Sequence, residues 1–364
     1  MCLLLILFVS ALTCVSCFDQ YNDTLGTVIF TNVIYRHGDR SPVESYPKDP
    51  HKNFSWPSGI GQLTKIGKNQ QFELGKWLRR RYDHLLDSNY CRKQIFIAST
   101  DVDRTLMSAA ANLAGLYPTT DDMKWNQEIN WDPIPIHGVP MFSDSVIGAT
   151  ADCPKYIAQI ELLRNTQYVK GLMIKYKYLF DYVTVNTGVA INCFMDLFRI
   201  YDILYVQYLY NLTLPEWAES VFPEPMGEAA LHHFVLPTSN QPLQRLKAGP
   251  ILGEIVQRFQ EKQLGILDPD RTMWMYSAHD TTIANLLNSL NVFDAHIPPY
   301  AATVLIELRR KNDEHFVTIL YRNNSEHDAQ LLTLPNCAPA CPLDNFTKIA
   351  TPLIPSDWDL ECQE

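Results

Sequence analysis

An α/β fold is predicted for this chain: a mixed central sheet flanked by helices, with a smaller α-helical insert. Three observations predict it. Apolar runs at 27–34, 94–98 and 273–277 have the composition of buried strands. Each run stops at a polar turn that leads towards a helical pattern, the arrangement of strands and helices packed in layers. Between the second and third runs, from about Pro154 to Glu219, the pattern turns helical and rich in aromatic residues.

The first strand, Thr27 to Ile34, is bounded by Gly26 and ends in Arg36-His37-Gly38-Asp39-Arg40-Ser41-Pro42. The C-terminal end of a buried strand is where α/β sheets usually place ligands. Two guanidiniums offer forked donors to anionic oxygens. The imidazole between them can act as a nucleophile when neutral, and Gly38 lets the backbone approach closely. A lone His-Gly pair would read as a solvated surface turn. Arg-His-Gly-x-Arg-x-Pro directly after an apolar strand reads as an anion site.

A polar, turn-rich loop runs to Gly61 and suits the rim of a site. Leu63, Ile66, Gln70, Leu74, Trp77, Leu78 and Tyr82 then recur at three- and four-residue steps, the apolar face of a helix. Arg79, Arg80 and Arg81 near its end suit the helix dipole. The second strand, Gln94 to Ala98, leads into Ser99-Thr100-Asp101-Val102-Asp103-Arg104-Thr105 and a helix over Met107 to Leu116. Arg104 falls near that helix's N-terminus, where anions are favoured. From the residues alone it either holds a ligand or pairs with Asp101 or Asp103.

The Pro-broken stretch Trp131 to His137 marks a domain boundary. The tyrosines beyond it, including Tyr201, Tyr205 and Tyr208, read as packing. His232 and His233 have no partner at metal-ligand spacing and read as surface or packing residues. The core resumes near Leu246 with a helix over Leu252 to Gln263. The third strand, Met273 to Ser277, leads into Ala278-His279-Asp280-Thr281-Thr282 and a helix over Ile283 to Leu290. Taken alone, Asp280 would cap that helix and His279 would be a core residue. Thr303 to Leu308 and Phe316 to Tyr321 read as a hairpin. A Pro-rich tail begins at Leu334.

The 364 residues, 46% hydrophobic and 19% charged, are ample for a large core. A net charge of −10 weighs against nucleic acid as a partner. Leu3 to Leu12 is almost wholly apolar and is followed by small residues at Ser16 and Cys17, which reads as a signal peptide over 1–17. The run is too short to be a membrane anchor, and no later segment is long enough. Six cysteines remain: Cys91, Cys153, Cys193, Cys337, Cys341 and Cys362. An even count on an exported chain implies disulfides, whose connectivity the sequence leaves open. Sequons at Asn22, Asn53, Asn211, Asn323 and Asn345 imply glycosylation of surface positions.

The segment Arg36 to Pro42 resembles the signature of the histidine acid phosphatases. This is the branch of the histidine phosphatase superfamily that includes prostatic, lysosomal and arthropod venom acid phosphatases and the phytases. Gly61-Gln62-Leu63-Thr64-x-x-Gly67-x-x-Gln70 is similar to a second pattern of the family. The resemblance implies a phosphohistidine formed on His37, with Asp280 as proton donor. It implies phosphate binding by Arg36, Arg40, Arg104 and His279, and a helical cap inserted over residues 131–245 into a core of 18–130 and 246–364. It also suggests Cys337–Cys341 and Cys153–Cys362, with Cys91–Cys193 left by elimination. Lysosomal members carry a C-terminal anchor that the polar tail here lacks, so a secreted, extracellular enzyme is expected.

The chemistry expected is metal-free, cofactor-free hydrolysis of small phosphate monoesters at acidic pH, because the arginines supply the charge compensation. Phosphoproteins as substrates and a homodimer stay open. Phytase pockets tend to be basic, and the loop Glu44 to Ser58 has only Lys48, His51 and Lys52 as cations. No Gly-x-Ser-x-Gly elbow or phosphate-cradling Gly-rich loop supports a serine hydrolase or an NTPase.

Overall fold

The computed structural model describes residues 22–323 and 327–363; the expected signal peptide lies outside them. A short helix α1 (Asn22–Leu25) precedes β1 (Thr27–Arg36). Then come α2 (Lys65–Arg81), β2 (Ile95–Thr100), α3 (Asp103–Leu116) and the short strand β3 (His137–Val139). A run of helices follows: α4 (Pro154–Arg164), α5 (Gln167–Lys175), α6 (Lys177–Thr187), α7 (Phe194–Leu209), α8 (Met226–Ala230) and α9 (His232–Val235). The chain continues through α10 (Gln241–Lys247), α11 (Gly249–Leu264), β4 (Met273–Ala278) and α12 (Asp280–Ser289). It ends with β5 (Thr303–Lys311), β6 (Glu314–Arg322), β7 (Gln330–Leu332), β8 (Cys341–Pro342), α13 (Leu343–Ala350) and α14 (Trp358–Gln363).

The sheet is mixed, in the order β3-β2-β4-β1-β5-β6-β7, with β8 also paired to β6. β3, β2, β4 and β1 run parallel. β5 lies antiparallel to β1, and β6 to β5. Side chains alternate across β1, as strand geometry requires. Phe30 and Ile34 join one apolar cluster with Leu252, Phe259 and Ile283 from α11 and α12. Val33 and Tyr35 join the other with Leu74, Leu78 and Leu113 from α2 and α3. Val28 sits with Val33 despite its even number, because a register shift between Val28 and Phe30 interrupts the alternation. The helical domain has its own cluster, including Phe180, Phe194, Leu197, Leu204 and Phe222.

Two sequence expectations are corrected. The insert was expected to begin at 131, yet His137, Gly138 and Val139 pair with Ala98, Ser99 and Thr100 and extend the sheet edge. The sheet is left only after Val139. Cys91 and Cys193 are free thiols. Cys91 lies in the turn entering β2, whereas Cys193 starts α7 in the helical domain with its Sγ 3.3 Å from Asp196 Oδ2. The two thiols thus belong to different parts of the fold, and no disulfide joins them. Cys153–Cys362 ties the start of α4 to α14, and Cys337–Cys341 closes the turn before α13. Asn53, Asn211, Asn323 and Asn345 are exposed. No helix among the described residues is long and apolar enough to cross a membrane.

One buried charge cluster braces the antiparallel side. Glu307 is fully buried and accepts from Arg81 Nη2 at 2.7 Å, Tyr82 Oη at 2.7 Å and Thr318 Oγ1 at 3.0 Å, with Arg309 Nη2 also bonded. Burial pushes its pKa up, but Arg81 and Arg309 outweigh that and hold it at about 2. A depressed carboxyl contributes stability above its ordinary value of 4.5 and loses it as pH falls towards the folded value. Glu307→Gln is therefore expected to cost about 3–5 kcal/mol near neutral pH. Thermal unfolding between pH 7 and pH 2 checks this. The gap to wild type should persist through pH 5 and narrow only below it, and an unchanged melting temperature at pH 7 would contradict the assignment.

Candidate active site

Parallel pairing aligns three strand ends. Arg36 is registered with Ala278, and Ser99 with Ser277, so the turns after β1, β2 and β4 emerge side by side. All six residues singled out from the sequence lie there. His37 is 2% exposed, and its backbone N–H donates to Ala278 O at 3.0 Å. Its ring stands 5.7 Å from that of His279 and 5.9 Å from that of Tyr300. Nδ1 lies 2.8 Å from Gly38 O. A carbonyl can only accept, so Nδ1 carries the proton and Nε2 keeps its lone pair.

The signature loop is seated backbone to backbone on α2. A Cβ on Gly38 would fall 2.3 Å from Gly67 O, and one on Gly67 would fall 2.1 Å from Asp39 O. Neither position has room for a side chain. Gln70 Oε1 accepts from Asp39 N at 2.8 Å, and Gln71 Nε2 donates to Arg36 O at 2.8 Å. Ser108 of α3 takes the Gly38 N–H at 3.2 Å. The pattern Gly67-x-x-Gln70, which the sequence shows as part of an amphipathic helix and of the second family pattern, thus holds the loop in place.

Arg36 pairs with Asp280 Oδ2 at 2.8 Å and lies over the Tyr300 ring at 4.3 Å from its centroid. Arg40 is gripped by Asp202 of α7, Nη1 to Oδ2 and Nη2 to Oδ1, each at 3.0 Å. Arg104, in the first turn of α3, makes no ion pair among the described residues; Asp103 instead accepts from Gln62 Nε2 at 3.0 Å. The Nε–H groups of Arg36, Arg40 and Arg104 are buried without a protein partner. An unmade bond to such a group costs about 1–3 kcal/mol, and a tetrahedral oxyanion would supply the missing acceptors.

Electrostatics follow from this crowding. Burial, then Arg104, Arg36 and Arg40, push the His37 pKa well below the imidazole value. Burial and Arg104 likewise bring His279 to about 4, against the opposing pull of Asp280. Burial and Arg40 lower Arg104 to about 10. Asp280 is pushed up by burial, but Arg36, Arg40 and His279 prevail and hold it below the usual carboxylate value. His279 sits at the N-cap of α12, with Nε2 3.0 Å from Thr100 Oγ1. Asp280 occupies the first turn and accepts from Thr281 N at 2.8 Å. The cap expected at Asp280 is therefore taken by His279, and Asp280 begins the helix itself.

Sequence reasoning missed Asp202, Tyr300 and Tyr210. Asp202 is a lone carboxylate among the buried Ile200, Ile203 and Leu204, a signal that was present. Tyr300 follows Pro298 and Pro299 in a turn that enters β5 at the site end of the sheet. Tyr210 Oη donates to Asp39 Oδ1 at 2.9 Å. His232 and His233 pack on aromatic rings, His233 stacked on Phe198 at 5.0 Å and His232 against Phe194 at 4.7 Å.

The loop's seating gives a direct test. Gly67→Ala should cost about 1–3 kcal/mol in thermal unfolding by overpacking and lower kcat/KM for p-nitrophenyl phosphate by about 10-fold or more, because the loop carrying His37 must shift. A variant with wild-type activity would contradict the close contact.

The model of the histidine phosphatase superfamily (branch 2) matches residues 27–183 and 162–322. The chain is 39% identical to prostatic acid phosphatase of Rattus norvegicus over 339 residues, covering 92% of this chain and 88% of that protein. It is 38% identical to the rat lysosomal acid phosphatase, covering 92% and 80%. Among solved structures, a Hafnia alvei phytase in complex with myo-inositol hexakis sulphate superposes with a TM-score of 0.70 at 16% identity, covering 93% and 99%. The Citrobacter braakii phytase gives 0.69 at 18%, covering 92% and 99%; at such identities the likeness concerns the fold. Shared architecture, a family model spanning most of the described chain and identities near two-fifths agree: the chain belongs to branch 2 of the histidine phosphatase superfamily.

Proposed function

We propose that this protein is a secreted acid phosphatase that hydrolyses phosphate monoesters through a phosphohistidine on His37, without a metal. The observation that carries the proposal is a buried imidazole ringed by three guanidiniums, each with an unpartnered Nε–H. The acid phosphatase relatives support the activity. The two disulfides support an oxidising compartment, and the exposed sequons support glycosylation there. The helices from α4 to α9 serve as the cap.

The ester's oxygens take the free donors of Arg36, Arg40 and Arg104 and a contact from His279. His37 Nε2 attacks phosphorus, the bond to the leaving oxygen breaks, and Asp280 gives that oxygen its proton. Water then attacks phosphorus, its proton returns to Asp280, and the P–N bond breaks to release phosphate.

Acidity suits both groups. An ordinary imidazole, pKa about 6.5, would be almost wholly protonated at pH ~4.5. Burial, then Arg104, Arg36 and Arg40, lower the His37 pKa well below that value and so favour the neutral ring. Asp280 starts ion-paired to Arg36 and ionised. A bound phosphate engages Arg36 and sets a negative charge beside the carboxyl, both of which raise its pKa. Below about pH 6 the ester itself carries a proton that Asp280 can take.

The test is kcat/KM for a series of aryl and alkyl phosphates from pH 4 to 8 with chelator present. Wild type should be most active at acid pH and indifferent to chelator. Asp280→Asn should be slower by about 10²–10⁴-fold, with the greater loss for alkyl leaving groups. Collapse with chelator would reject the metal-free route, and an equal loss for every leaving group would remove Asp280 as the acid.

A further inference from the structure

The residue gripping Arg40 comes from the helical domain, not from the sheet that carries the other site residues. Asp202 lies in α7 between Ile200, Ile203 and Leu204, which are buried. Ile200, Ile203 and Leu204, with Phe194 and Leu197 of the same helix, belong to the helical domain's own apolar cluster, so α7 is fixed by packing independent of the sheet. From that anchored helix Asp202 commits both carboxylate oxygens to one guanidinium. Its side chain is 7% exposed and that of Arg40 is 6%.

The grip has a directional consequence. A guanidinium has five N–H donors in a planar fork. Asp202 takes one from each terminal nitrogen, and Ser41 O accepts another from Nη1 at 3.2 Å. Nε–H stays buried without a protein partner. Arg40 is thereby locked in one orientation with that donor free. The same helix and its C-cap residue make two further contacts, one beyond the loop and one within it. Gln207 Nε2 donates to both oxygens of Asp49, at 3.0 and 3.1 Å, and Tyr210 reaches Asp39.

A buried ion pair is weak evidence of stabilisation, since packed apolar residues often do as well. Asp202 does something an apolar residue cannot do. Arg40 lies within the field of Arg36 and Arg104, and like charges so close repel; Arg40 is among the causes that lower Arg104. A carboxylate behind Arg40 offsets that repulsion and stops it turning away. Arg36 is held in a different manner, by Pro298 O, Asp280 and the Tyr300 ring.

We propose that Asp202 is a positioning residue for phosphate transfer: acting only through Arg40, it aims that guanidinium's free edge at phosphorus and makes the helical domain part of the phosphate site. This rests on the reading of Arg40 as a phosphate ligand. An enzyme whose helical domain shifts on the sheet would thus change its grip on phosphate without any change in the loop itself.

A double-mutant cycle tests it, with Asp202→Ala, Arg40→Ala and the double variant in the full-length protein. The readouts are kcat/KM for p-nitrophenyl phosphate and competitive inhibition by inorganic phosphate. Asp202→Ala should lower kcat/KM by about 10- to 100-fold and weaken phosphate inhibition by a comparable factor. In the Arg40→Ala background the same substitution should change neither value by more than about 2-fold. Asp202→Asn, near-isosteric and uncharged, stands in with the same readouts if the alanine variant does not fold. Losses that multiply in the double variant would overturn the proposal, showing that Asp202 acts apart from Arg40. Tighter phosphate inhibition in the single variant would overturn it too, leaving Asp202 as a counter-charge. Arg40→Ala with wild-type kcat/KM and phosphate inhibition would instead remove Arg40 from the phosphate site, and the proposal with it.

Discussion

The register of β1 against β4, and of β4 against β2, is the constraint on which everything else rests. Arg36 opposite Ala278 and Ser99 opposite Ser277 bring three turns, separated in the chain by up to about two-thirds of its length, to one edge. A one-residue slip in a sheet buried on both faces would turn every apolar side chain to the wrong layer. Packing on both faces therefore fixes where the functional groups stand. Phe30 and Ile34 against α11 and α12, and Val33 and Tyr35 against α2 and α3, hold the site as firmly as any hydrogen bond within it.

Given that edge, electrostatics sort the groups into roles. Burial and three guanidiniums in one space penalise any further positive charge, and the pKa values of both imidazoles fall accordingly. The same field favours negative charge, and Asp280 responds by ionising against Arg36. Asp280 thus stands as the ionised partner of Arg36. In the proposed reaction an incoming phosphate would exchange partners with it: the free N–H groups of the guanidiniums would take the ester's oxygens, and the carboxyl would gain a neighbouring anion. On that proposal, substrate binding and arming of the acid are one electrostatic event. Glu307, far from the loop, shows the other face of this economy of charge: a carboxylate so well compensated that an acidic medium leaves it ionised.

The sheet was legible because its strands are dense in β-branched and apolar residues and each ends abruptly in charge. Helix starts were less so. The helix expected from Met107 begins at Asp103, because the charged turn residues already take helical backbone and carry Arg104 into the first turn. The helix expected from Ile283 begins at Asp280 for the same reason. Arg36, His37 and Arg40 could be named from the charged turn at a strand end, whereas Arg104, His279 and Asp280 stand at strand ends too but needed the family resemblance to be named. Asp202 stands out in the sequence as a lone carboxylate in an apolar stretch, but its partner does not, since Arg40 lies more than 150 residues away and meets it only when the helix folds over the loop. Nor does the work of Gly67 and Gln70, which serve backbone groups that carry no sequence signal. The Cys91–Cys193 pairing failed because counting cysteines says nothing of which end of a sheet each one occupies.

The central claim is that the His37 imidazole, its pKa lowered by burial and by its arginine neighbours, takes the phosphoryl group. Its most direct measurement is covalent labelling: the enzyme is mixed at acid pH with a phosphate ester labelled on phosphorus, quenched in alkali, digested and mapped. Label on the peptide containing His37, stable to alkali, released by acid and absent from His37→Ala, is the result expected. Label on another residue, or turnover by wild type with no covalent label at any quench time, would contradict the account.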